Sequence, residues 1–171
     1  APTAGLHFTD EMLKALQNRG IEHTFVTLHV GPGTFQPLRH EKLEDNSLEP
    51  EEYKVKAECL ERIRKARNRG GRIVAVGTTS TRILETVDIH SSGPLSGETE
   101  IFIFPPYRFR NVDVLITNFH LPGSSLLCLV AAFMGYGFMM EAYRHAVDES
   151  YRFYSGINAM MIIGQSGGSD K

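Results

Sequence analysis

Two histidines sit where apolar runs break into polar turns, and an imidazole that is neutral near pH 7 can remove a proton or steady a leaving group. His120 lies in ITNFHLPGSS, residues 116–125, between a buried-strand pattern and the apolar run LLCLVAAF. His29 lies in FVTLHV, residues 25–30, just ahead of GPGTF. Period-2 alternation puts Thr27 and His29 on one face of that strand, so the two can act together. A third junction of this kind runs from IVAVG into Thr78, Thr79, Ser80 and Thr81. There, hydroxyls and helix N-terminal N–H groups can hold a phosphate or carboxylate. His7 in the opening AGLHF, Thr34 in GPGTF and Asn118 beside His120 are further polar candidates. Each has a plainer alternative. A strand-end histidine can simply bond a neighbouring carbonyl, Thr78 or Thr79 can cap a helix, and Gly31 and Gly33 can serve a tight turn.

The elements that must position these groups follow from the periodicities. Thr9 caps a helix that begins with Asp10 and Glu11 and stops at Gly20. Residues 21–30 read as a strand, 39–52 as an irregular charged connection and 53–55 as a short strand. Cys59, Leu60, Ile63 and Ala66 recur at helical spacing over residues 56–69, and Gly70-Gly71 ends that helix before the strand at Ile73. The run is expected to form a β-α-β unit. A helix over 79–87, a loop over 91–97 and a strand over 100–104 closed by Pro105-Pro106 come next. A strand over 112–117, helices over 124–134 and 138–151 and a strand over 159–163 complete the pattern. Strands alternating with helices predict an α/β fold with a mixed, largely parallel sheet flanked by helices. Residues 1–163 form the folded part, and 164–171 (GQSGGSDK) read as a flexible tail.

Composition narrows the options. At 171 residues with 42% hydrophobic content the chain can build one core. A net charge of −2 exerts no general pull on nucleic acid, so any such contact must be local. Cys59 and Cys128 have no CxxC or His/Cys spacing, which predicts a reducing, cytoplasmic setting and no structural metal. The apolar run at 126–134 is far shorter than the roughly 20 residues that cross a bilayer, so no membrane partner is expected. HExxH and GxxxxGK[ST] are both absent, which argues against a zinc protease and a P-loop enzyme. The opening APTAGLHF lacks an initiator Met and reads as the start of a fragment.

Two segments interleave aromatic and basic residues: Tyr107, Arg108, Phe109 and Arg110, and Tyr151, Arg152, Phe153 and Tyr154. Such pairs can stack on bases while contacting phosphates. Their plainer reading is aromatics inward and arginines outward. Arg62, Arg64, Lys65, Arg67, Arg69 and Arg72 are a candidate phosphate-backbone contact or a solvated face.

Taken in order, APTAGLHF, TLHVGPGTF, VAVGTTSTRILE, GETEIFIFPPYRFR, TNFHLPGSSLLCLVAAFMG and AYRHAVDESYRFYS resemble the C-terminal half of the S-adenosylmethionine:tRNA ribosyltransferase-isomerase family of queuosine biosynthesis. The resemblance spans nearly the whole chain. It implies transfer and isomerisation of the ribosyl part of S-adenosylmethionine onto 7-aminomethyl-7-deazaguanine at the tRNA wobble position, giving epoxyqueuosine. S-adenosylmethionine is then a co-substrate, no metal is needed, and the partner is the tRNA anticodon loop. This chemistry needs a base for the acidic proton beside the sulfonium, help for the departing adenine and a pocket that excludes water. On this basis His29 and His120 are proton-transfer candidates. Thr78, Thr79 and Ser80 would meet polar groups of the substrates, and Arg82 or Arg108 anionic ones. His7, Thr27, Thr34, Asn118 and Tyr154 complete the substrate-binding set.

Departures from the family pattern are equally specific. Set against the family, the chain is expected to lack the N-terminal segment and the inserted small β-barrel domain. A His-Arg-Met-His run is replaced by Asn46, Ser47, Leu48 and Glu49; Gly123 replaces a lysine; and Asn158 replaces a carboxylate. They suggest an alternative, a truncated, catalytically inactive relative that binds RNA or a partner.

Overall fold

The computed structural model describes residues 3–31, 34, 37–153 and 158–164. A 3-10 turn, Thr3–His7, leads into α1, Asp10–Asn18, whose first turn is capped by the Thr9 side chain accepting from the Met12 N–H. There follow β1 (Thr27–Leu28), β2 (Glu51–Val55), α2 (Ala57–Asn68), β3 (Val74–Val76), α3 (Thr78–Thr86), β4 (Leu95–Thr99), β5 (Val114–Asn118), α4 (Ser125–Met134), α5 (Tyr136–Asp148) and β6 (Ala159–Ile163). The fold is α/β, as its alternating pattern implies.

The strands form two three-stranded sheets, β1-β2-β4 and β3-β5-β6. Among the described residues parallel pairing is confined to β3 and β5, so the parallel character is narrower than expected. The β-α-β unit predicted through α2 does not close either, because β2 and β3 belong to different sheets. In β2 burial alternates, with Glu51 and Val55 buried and Glu52 and Lys54 exposed, which suits an antiparallel sheet covered on one face. The predicted strand at 21–30 shrinks to two residues, extended by the His29 N–H donating to Glu52 O at 2.8 Å. Its length is set by the available partner in β2, which the local pattern does not encode.

The strand expected at 100–104 lies earlier, at Leu95–Thr99, paired residue for residue with Val55–Glu51. Ile103 still reaches the core from an irregular segment, while the Phe102 and Phe104 rings pack at 4.9 Å. Thus IFIF is apolar for packing rather than for a ladder. Leu60, Ile83, Ile103, Leu115, Leu129 and Met139 are the largest fully buried apolar side chains. Gly164 is fastened to the sheet edge by its N–H donating to Asp113 O at 2.8 Å; the remainder of the predicted tail, 165–171, lies outside the described residues.

Among the described residues no single helix is long and apolar enough to cross a membrane, and α4 and α5 meet at 114°. Both cysteines are free thiols.

Candidate functional site

The crevice that an α/β sheet offers a ligand, outside the carboxyl ends of its parallel strands, falls here at the ends of β3 and β5. Val76 pairs with Ile116, and the Gly77 N–H continues the ladder by donating to Ile116 O at 2.8 Å. Gly77 then turns with φ 90°, a conformation that favours glycine, and α3 starts at once. Thr78 is buried, and Thr79 and Ser80 are half-buried. None of the three caps the helix, since the N-cap is Gly77, and the first-turn N–H groups remain available for an acceptor. Beside this terminus, β5 ends in Thr117 and Asn118, followed by Phe119 and His120.

Asn118 is a junction. Its Oδ1 accepts from Thr3 Oγ1 at 2.8 Å, and its Nδ2 donates to Asn158 O at 3.1 Å and lies 3.5 Å from His7 Nε2. His120 Nε2 is 2.9 Å from Thr117 Oγ1, and the His120 backbone N–H donates to the Tyr143 hydroxyl at 3.0 Å. Burial lowers the His120 pKa to about 4, so its imidazole is neutral at pH 7. Burial also raises Tyr143 to about 12, keeping its hydroxyl protonated. Phe119, Tyr143, Tyr151 and Phe153 pack edge-to-face or tilted around this turn, with centroids 5.3 to 5.7 Å apart. The opening turn, the β5 end and α5 are thereby held together.

A second cluster lies on the other flank of α3. Arg82 and Glu51 form a buried ion pair with Nη1 2.5 Å from Oε2. The other Glu51 oxygen accepts from Thr34 Oγ1 at 2.6 Å and the Gly31 N–H at 2.8 Å. Arg82 Nε donates to Ile101 O, and Ser125 Oγ, at the start of α4, donates to Thr34 O. Ser124 caps α4, accepting from the Leu127 N–H, while the Leu38 N–H donates to Gly123 O at 2.9 Å. Gly123 has φ 72°, so the position expected to carry lysine adopts a left-handed backbone that suits glycine.

The predicted residues therefore divide. His7, Asn118 and His120 gather at the β5 end; Thr78, Thr79 and Ser80 open α3; and Thr34 and Arg82 share the buried ion-pair cluster. Thr27 and His29 are both exposed on the antiparallel sheet, with no side-chain bond to either cluster. Arg108 is exposed as well, and Tyr154 lies outside the described residues.

The interleaved aromatic segment takes its plainer form. Phe109 packs on Phe133, and the Tyr107 hydroxyl donates to Glu85. The basic stretch on α2 is largely engaged. Arg62 pairs with Glu58, Lys65 with Glu61, Arg67 with Asp113 and Arg69 with Glu22, while Arg64 donates to Ile89 O and Ser91 O. Glu51 and Tyr143 are absent from the predicted set. Glu51 stands in the charged stretch EPEE, which looks solvated, and no local signal separates it from Glu52. Among the described residues no group of three or more His, Cys, Asp or Glu is placed to hold a metal ion.

Residues 1–162 match the family model described as "Queuosine biosynthesis protein". The chain belongs to this family. It is 52% identical over 169 residues to the S-adenosylmethionine:tRNA ribosyltransferase-isomerase of Xylella fastidiosa strain M12, covering 98% of this chain and 49% of the relative. It is 51% identical over 164 residues to the protein of the same name from Thermotoga maritima, covering 95% and 49%. A crystal structure of S-adenosylmethionine tRNA ribosyltransferase from Thermotoga maritima superposes with a TM-score of 0.78 at 46% identity, covering 94% of this chain and 51% of that one. The chain thus spans about half the length of the curated relatives it matches.

Proposed function

We propose that this chain supplies the C-terminal half of an S-adenosylmethionine:tRNA ribosyltransferase-isomerase. In this reading the ribosyl moiety of S-adenosylmethionine is transferred to 7-aminomethyl-7-deazaguanine at the tRNA wobble position and isomerised to epoxyqueuosine. The observation that carries it is the 52% identity to relatives of that name across 98% of the chain. The residue geometry supplies suitable parts. A neutral, largely buried His120 can accept a proton or a hydrogen bond at the crevice, and its Thr117 and Tyr143 contacts limit its freedom. Thr78, Thr79 and Ser80, at the α3 N-terminus, present N–H groups and hydroxyls to polar groups of the substrates. Arg82 lies in the buried cluster one turn further along α3, and Arg108 is an exposed cation suited to phosphate. His29 is the second proton-transfer candidate, and His7, Thr27, Thr34, Asn118 and Tyr154 complete the proposed substrate contacts. Residues 1–163 act as one part of the catalytic α/β domain, the tRNA enters by its anticodon loop, and the protein works in the cytoplasm.

The test is ribosyl transfer by the complete protein that carries this sequence. His120→Ala and His29→Ala are each expected to lower transfer by about a hundredfold or more if they move protons. Near-normal turnover in both would remove the proton-transfer roles. A complete wild-type protein that binds S-adenosylmethionine and a wobble-modified anticodon stem-loop but transfers nothing would favour the inactive, RNA-binding alternative.

A further inference from the structure

Glu51 is a charged residue only 3% exposed, and its carboxylate is shared by three donors from two separate parts of the chain. Gly31 N–H and Thr34 Oγ1 come from the loop after β1, and Arg82 Nη1 from α3. Glu51 itself opens β2 in the antiparallel sheet, whereas α3 follows β3 of the other sheet. One side chain therefore ties the antiparallel sheet to α3. The joint is also incomplete as a structural device. Arg82 is 3% exposed, and its Nη2 is buried without a hydrogen-bond partner among the described residues. A buried ion pair with an idle donor is a poor stabiliser compared with apolar packing. Its geometry is better suited to holding Thr34 and the first turns of α3 in place.

We propose that Glu51 is a positioning residue for S-adenosylmethionine binding, holding Gly31, Thr34 and α3 at the separation the small substrate requires. This rests on the functional reading above. The small substrate is favoured over tRNA because the element held in place, α3, opens with Thr78, Thr79 and Ser80, whose N–H groups and hydroxyls suit small polar groups, while Thr34, Glu51 and Arg82 are buried away from a polynucleotide surface.

Steady-state kinetics of the complete protein test this. Glu51→Gln keeps the shape and removes the charge; it is expected to raise the KM for S-adenosylmethionine tenfold or more, with the KM for tRNA unchanged. A purely structural role would lower the active fraction, and hence kcat, without moving either KM. Should Glu51→Gln fail to fold, Glu51→Asp keeps the charge beside Arg82 but is too short to span both the loop and the helix. Its folded fraction is expected to show the same selective rise. An active wild type with normal KM values in a folded variant overturns the positioning role alone. An inactive wild type overturns the functional reading, and this role with it.

Discussion

His120 carries the clearest pH signature. Its ordinary value is 6.5, and burial in the fold brings it to about 4. Between these values the unfolded chain binds a proton that the folded chain refuses, so acid favours unfolding in this window. Stability is complete above about pH 6.5 and declines as the pH falls toward 4. His120→Gln retains a polar side chain near Thr117 and cannot titrate. Thermal midpoints of this variant are therefore expected to vary less between pH 6.5 and 4 than those of the wild type. An equal slope in both would remove the buried histidine as the cause. Residues at the family departures also have defined local work. Asn46 Oδ1 accepts from the Arg39 and His40 N–H groups while Nδ2 donates to His40 O and Lys42 O, closing the 39–46 loop. Asn158 Oδ1 accepts from the Arg152 N–H.

At the scale of elements, α3 organises the molecule. Its first turn faces the crevice, Arg82 meets Glu51, and one turn later Glu85 is fully buried. The Glu85 carboxylate accepts from the N–H groups of Arg110, Asn111 and Val112 and from the Tyr107 hydroxyl, fastening the 107–112 segment that leads into β5. Removing it leaves several donors without acceptors, each costing about 1 to 3 kcal/mol if it stays buried. Glu85→Ala is expected to destabilise the fold by about 3 kcal/mol, read as a lower urea midpoint at unchanged slope. Glu85→Gln, which keeps one acceptor oxygen, should cost less. A shift below about 0.5 kcal/mol for Glu85→Ala would place the segment's anchoring elsewhere.

For the whole molecule, the two faces of the β3-β5-β6 sheet differ. Ala75, Leu115 and Ile162 are buried in the core. The register puts Val74, Val114 and Ile163 in one row and Val76, Ile116 and Met161 in the next on the opposite face. There Val114, in the central strand, is fully buried, but Val74 is 43% exposed, Met161 59% and Ile163 62%, and β6 is an edge strand. An apolar edge of this kind promotes association. Met161→Lys and Ile163→Lys are expected to reduce concentration-dependent light scattering by the 171-residue chain while leaving its far-UV spectrum unchanged. Unaltered scattering would exonerate this face.

Some of this architecture was legible because its determinants are local. Thr9 reads as a cap from its own neighbours, Gly70-Gly71 as a helix stop, and 159–163 as a strand from five apolar or small residues in a row. The motifs around His120, GTTST and GPGTF likewise announce the family, and the family match bears that out. What a residue meets at long range was not legible. The partition of strands into two sheets, the shift of β4 to Leu95–Thr99 and the shortening of β1 all depend on which strand is available to pair. Glu51 and Glu52 are neighbours of one type, yet one is buried against Arg82, 31 positions away, and the other is exposed. The sequence by itself determined ancestry, the presence of each helix and the residue types at the crevice, since short-range sterics and capping decide these, although α5 runs from 136 to 148 rather than 138 to 151 and Gly77 rather than a threonine caps α3. Only the tertiary structure decided that burial lowers the His120 pKa and that Glu51 ties the antiparallel sheet to α3, because desolvation and ion pairing depend on chain segments that sequence distance keeps apart.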